Sequence, residues 1–126
     1  MGTRCLTFVY EDGEVVLNMY RQFDGYPSGH GVELAKFLEG MVIVNGYNSD
    51  DKRKIANGMG CLAAQLVSYF KVGVGRFYLE SPAATNCGQD YEYHITNKGV
   101  RVVNYNGNEM FNGTFDEFKG FCEAND

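Results

Sequence analysis

The sequence predicts an α+β fold: a mostly antiparallel β-sheet with about three helices packed against it, as one domain over residues 1–126. Three observations carry this. A two-strand pattern with a tight turn opens the chain. Two helical patterns follow in its middle, and the second half is a run of short strands closed by a helix. Splitting 126 residues in two would leave each piece with a marginal core.

Leu6, Phe8 and Tyr10 alternate with Thr7 and Val9, and Val15–Tyr20 resumes the strand beyond Asp12-Gly13, a hairpin-turn dipeptide. In Val32–Leu38, Leu34, Phe37 and Leu38 share one helical face, and Gly40 stops the helix in a left-handed conformation. Met41–Asn45 is short and β-branched, a strand or buried loop, and the polar Asn48–Lys54 is exposed. A second helix runs from Gly58-Met59-Gly60 to Phe70; it is apolar almost all round and is expected at the centre of the core, with Ala63 and Ala64 allowing another backbone to come close. The Gly73–Gly75 stretch ends it. Arg76–Glu80, Tyr91–Ile95, Val100–Tyr105 and Glu109–Phe111 read as strands, separated by turns at Asn97-Lys98-Gly99 and Asn106-Gly107-Asn108. Thr114-Phe-Asp-Glu117 is a capping-box pattern that starts a final helix carrying Phe115, Phe118 and Phe121.

Composition excludes several functions. Hydrophobic content of 44% is ordinary for a globular chain, so disorder is not expected. A net charge of −5 argues against a broad face for duplex DNA or RNA, which needs clustered cations. A pocket for one small anion needs only two or three. No apolar run is long enough for a membrane span, and the N-terminus lacks the layout of a signal peptide, so the cytoplasm is the expected compartment. Cys5, Cys61, Cys87 and Cys122 are scattered, without metal-ligand spacing; structural thiols are expected, and neither a metal nor a cofactor.

The richest segment is Met19–Gly31, "MYRQFDGYPSGHG". Gly25, Gly29 and Gly31 would supply positive φ and Pro27 would stiffen an Ω-like turn. That leaves Arg21, Phe23, Asp24, Tyr26 and His30 over, as a rim with an arginine for phosphate or carboxylate and rings for stacking; Asp24 could instead simply pair with Arg21. Asn57-Gly-Met59-Gly opens a helix and exposes N–H groups suited to an anion, though glycine there also serves close packing. Arg76 and Arg101 flank strands containing Phe77, Tyr78, Tyr91, Tyr93 and Tyr105; such groups stack on bases and fork onto phosphates, or merely pack across strands. His94 is more readily a structural strand residue. No nucleophile–base–acid set is recognisable, so no catalytic residue is assigned.

Three stretches together, "MGTRCLTFVY", "MYRQFDGYPSGHG" and "NGMGCLAAQLVSYFK", resemble a group of small phage, prophage and bacterial proteins that open Met-Gly-Thr-Arg and carry Asp-Gly-Tyr-Pro-x-Gly. Within it the sequence is similar to the first family of Thoeris anti-defence proteins. The matching stretches span roughly the first half of the chain. The resemblance implies a sponge: a non-enzymatic protein that sequesters, uncleaved, the cyclic ADP-ribose isomer made by Thoeris TIR proteins in the infected bacterial cytoplasm. It also implies homo-oligomers, dimeric or higher, and in some members the binding of cyclic oligonucleotides. The residues offered as ligand contacts are Arg21, Phe23, Asp24, Tyr26, His30, Asn57, Met59, Phe77, Tyr78 and Arg101. Two rival readings are an enzyme degrading a nucleotide or phosphate ester, with His30 or Asp24 as acid or base, and a protein-interaction module using exposed tyrosines.

Overall fold

The computed structural model describes residues 2–125. Its elements are β1 (Cys5–Glu11), β2 (Glu14–Arg21), a π turn (Pro27–Gly31), α1 (Val32–Leu38), β3 (Val42–Val44), β4 (Ile55–Asn57), α2 (Gly58–Phe70), β5 (Phe77–Leu79), β6 (Tyr91–Thr96), β7 (Gly99–Asn104), β8 (Glu109–Gly113) and α3 (Phe115–Ala124). The fold is α+β. Six strands form one sheet in the order β5-β2-β1-β6-β7-β8, and β3 and β4 pair in a small second sheet. Within the large sheet only the central β1 and β6 run parallel.

Alternation along the strands explains the layering. Val9, Met19, Tyr93, Ile95 and Val102 join Leu34, Leu38, Leu62, Leu66 and Phe118 in one buried cluster, so the helices cover that face. Burying a leucine of this kind contributes roughly 1.5–3 kcal/mol. Leu6, Phe8 and Val103, on the reverse face, are buried as well. The start of the 81–90 segment is tied to β2 by Asn18 Nδ2, which donates to the Ser81 and Ala84 carbonyls at 3.0 Å each.

The β1–β2 turn has Asp12 at φ 51° and Gly13 at φ 83°, the two left-handed residues that a tight hairpin needs. Thr114 caps α3 as expected: its hydroxyl accepts from the Glu117 N–H, and the Glu117 carboxylate accepts from the Thr114 N–H.

Three expectations need correction. First, α2 is not buried all round. Met59, Leu62, Ala63, Leu66 and Phe70 face the core, while Ala64, Ser68 and Tyr69 are exposed, because only one side of the helix meets the sheet. Second, the 48–54 stretch is largely exposed as expected, but Ile55–Asn57, which the residue pattern left without a strand, forms β4 as a parallel partner for β3. Third, Gly25, Gly29 and Gly31 do not have positive φ; the left-handed residue of that loop is Asp24, at φ 62°. These glycines are instead places of close approach. A Cβ on Gly31 would lie 2.7 Å from Cys122 Sγ of α3, and one on Gly25 would lie 2.8 Å from the Arg4 carbonyl carbon.

Candidate functional site

A groove of about 1080 Å³ lies around the carboxyl ends of β1 and β6. Pockets for drug-sized ligands span roughly 300–1,000 Å³, and this groove is of that order. Its walls come from turns and element ends that the sheet gathers together. The β1–β2 turn brings Glu11 and Asp12, the β6–β7 turn Asn97 and Lys98, β7 brings Arg101, β8 Asn112, and α2 its first turn at Gly58 and Met59.

Arg101 pairs across the strands with His94 on one side and Asn112 on the other. Its Nε donates to Glu109 Oε1 at 2.7 Å, and its terminal nitrogens have no partner among the described residues. Half-exposed, this ion pair contributes little to stability and leaves those nitrogens available to an anion. The α2 N-terminus is open too. Asn57 precedes the helix but does not cap it; its Oδ1 accepts from the Gly46 N–H at 2.8 Å, and the first turn holds no acidic residue. Among the described residues no side chain hydrogen-bonds the first-turn N–H groups at the positive end of the helix dipole, although the Glu11 carboxylate lies close to Gly58. Glu11, Asp12 and Glu117 bring negative charge to the same rim, so the anion-friendly region is local rather than general.

An aromatic platform lies beside Arg101. The His94 ring stacks on Phe8 at 4.9 Å and 6°, and on Tyr10 at 5.7 Å and 29°. Tyr10 Oη is 2.6 Å from His94 Nδ1, and His94 Nε2 is 2.9 Å from Glu92 Oε1. Burial pushes the His94 pKa below its ordinary value; Glu92 opposes that shift and Arg101 reinforces it. Burial also raises the Tyr10 pKa, so the phenol keeps its proton.

The Met19–Gly31 loop lies at the opposite end of β1, where Arg21 pairs with Cys5. Arg21 is only 2% exposed. Its Nε donates to the Phe23 carbonyl at 2.6 Å, Nη1 donates to His30 Nδ1 at 3.2 Å, and Nη2 meets Glu33 at 2.9 Å. The guanidinium also lies 5.0 Å from the centre of the Phe77 ring, which is itself buried. Arg21 and Phe77, expected at a ligand rim, are thus core residues, and Arg21 is not Asp24's partner. His30 is fully buried, with Nε2 2.8 Å from the Thr7 hydroxyl. Because Arg21 donates to Nδ1, the proton of the neutral ring sits on Nε2 and donates to Thr7. Burial and the Arg21 charge push its pKa down to about 3.

Of the other expected contacts, Met59 and Arg101 line the groove. Asn57 is exposed beside it, with its side chain tied to Gly46. Phe23, Asp24 and Tyr78 are exposed but away from it, and Tyr26 donates to Asp24 at 3.3 Å. Tyr10, Lys98 and Asn112 were missed. Their sequence signals were an alternating strand, a turn and a short edge strand, and none of these says which ends converge.

All four cysteines are free thiols; burial of Cys122 pushes its pKa up to about 12, which keeps it unreactive at neutral pH. Among the described residues there is no group of three or more His, Cys, Asp or Glu placed to hold a metal ion. No helix among the described residues is long and apolar enough to cross a membrane. Fold and groove together define an α+β chain with a cleft of mixed polar and apolar lining, floored by Tyr10 and His94, at one end of its sheet. No family model matches it, nor does any curated protein or solved structure.

Proposed function

We propose that this chain is a binding protein that takes a cyclic ADP-ribose-type nucleotide into the groove and holds it without cleavage. In this reading it is a Thoeris anti-defence sponge that works as a homo-oligomer in the infected bacterial cytoplasm. The observation that carries the binding part is the grouping, in one groove, of Arg101, Lys98 and the uncapped first turn of α2 around the Tyr10–His94 rings. A cyclic ADP-ribose isomer offers matching chemistry. Its pyrophosphate suits the cations and helix end, its base suits the rings, and its ribose hydroxyls suit the asparagines. The immune role rests on the Met-Gly-Thr-Arg and Asp-Gly-Tyr-Pro-x-Gly resemblance. Sequestration requires slow release rather than groups aimed at a transition state.

A phosphate-ester hydrolase is the rival reading, and one observation favours it: the Tyr10–His94–Glu92 chain has the form of an acid–base relay. One experiment separates the two. The protein is incubated with a TIR-produced cyclic ADP-ribose isomer, filtered and heat-denatured. Sequestration returns intact signal in stoichiometric amount; hydrolysis returns cleaved signal beyond one equivalent. If the signal passes freely through the filter, the binding reading fails.

A further inference from the structure

The hydrogen-bond chain that leads from Tyr10 and His94 in the groove to Glu92 and Gln89 outside it has a direction, set at its far end. Gln89 Nε2 donates to Glu92 Oε2 at 2.9 Å, and Glu92 Oε1 meets His94 Nε2 at 2.9 Å. A carboxylate only accepts, so the proton of the neutral imidazole is on Nε2. His94 Nδ1 is then a bare acceptor, and the 2.6 Å contact with Tyr10 is made by the phenolic proton. Tyr10 lines the groove with its only proton already donated. What it offers a ligand is a lone pair.

We propose that Tyr10 is a specificity-determining acceptor in the groove, reading a neutral hydrogen-bond donor on the nucleotide, a ribose hydroxyl or the base amine. Glu92 and His94 are positioning residues that set this polarity. The inference rests on the nucleotide-binding reading above and adds which ligand group Tyr10 selects. Charged and titratable groups near His94 are Tyr10 on β1, Glu92 on its own strand, and Arg101 on β7, the last held by Glu109 of β8. Protonating His94 makes both ring nitrogens donors. Tyr10 must then accept from Nδ1 and turn its own O–H into the groove, donor against donor. Ligand affinity therefore falls as pH drops through the His94 titration, which lies below the ordinary histidine value because the ring is buried beside Arg101.

Two measurements test this. Nitrogen-15 NMR of the ligand-free protein near pH 7.5 reads the His94 tautomer; a proton on Nε2 is expected, and one on Nδ1 overturns the proposal whatever binds. Calorimetry then uses three probes: cyclic ADP-ribose, an analogue lacking one ribose hydroxyl, and its hypoxanthine-base analogue. Tyr10→Phe should weaken cyclic ADP-ribose binding by about tenfold, and should erase the penalty that one analogue shows on the unmodified protein. Which analogue it is tells hydroxyl from amine. His94→Gln is the decisive variant, because its Oε1 can accept from Tyr10 while its amide donates to Glu92, without titrating. Whatever affinity it keeps near pH 7.5 once the ring is lost, it should not show the decline that the unmodified protein shows as pH falls below the ordinary histidine range. Unchanged binding by Tyr10→Phe, or an acid decline that persists in His94→Gln, overturns the proposal. If the unmodified protein binds no probe but has the Nε2 tautomer, the groove reading has failed and this one falls with it; the wrong tautomer in a protein that binds sinks this one alone.

Discussion

Arg21 and His30 look like recognition groups in sequence and are a buried polar pair in the fold. With each guanidinium nitrogen engaged, Arg21→Ala would leave His30 Nδ1 and the Phe23 carbonyl without their donor and remove the cation over Phe77. A loss of about 3 kcal/mol is expected from urea denaturation, while the folded fraction keeps its nucleotide affinity because the groove is at the other end of β1. His30 adds a pH dependence whose sign is fixed. Its folded pKa of about 3 lies below the unfolded value of 6.5, so the unfolded chain binds more protons in between. Stability from the neutral ring is fully present above about pH 6.5 and is lost as pH falls toward 3. Subtracting the urea-midpoint profile of His30→Asn from that of the parent should isolate this segment; identical profiles would refute it.

At the scale of elements, close packing decides what turn chemistry alone would not. Gly31 joins the π turn to α1 and faces Cys122 of α3, and these three segments pack as one unit. Gly31→Ala would push a Cβ against the sulfur, costing about 1–3 kcal/mol in thermal or chemical unfolding. Adding Cys122→Ala should recover part of that loss, a coupling that a backbone-conformation role for Gly31 would not produce. Thr114→Ala removes one half of the capping box and should cost about 1 kcal/mol. The cap was legible in sequence because all its partners lie within four residues. The Gly31–Cys122 contact was not, since the two meet only once the chain has folded across most of its length.

For the whole molecule, the groove is made by where the sheet brings its ends. Arg101→Ala and Lys98→Ala should each weaken binding of the cyclic nucleotide in isothermal calorimetry, with a loss that shrinks as salt is raised. Phe23→Ala, far from the groove, should leave affinity unchanged. Saturating ligand should raise the unfolding temperature, with a stabilisation of about 2.7 kcal/mol at a hundredfold excess over Kd. A chain that binds in the groove will show this shift in the parent and a smaller one in Arg101→Ala.

Local patterns determined much of this protein. The hairpin at Asp12-Gly13, the helix stop at Gly40, the α3 cap and the α+β class all follow from interactions between near neighbours. Two expected contacts, Met59 and Arg101, also fall in the groove. Tertiary structure alone decided the parallel pairing of β1 with β6, the burial of Arg21 and His30, and the meeting of Tyr10 with His94, residues 84 positions apart. The physical reason is the same in each case. An arginine, a histidine or a glycine has several uses of similar energy, and which one it serves depends on partners that only the assembled sheet supplies.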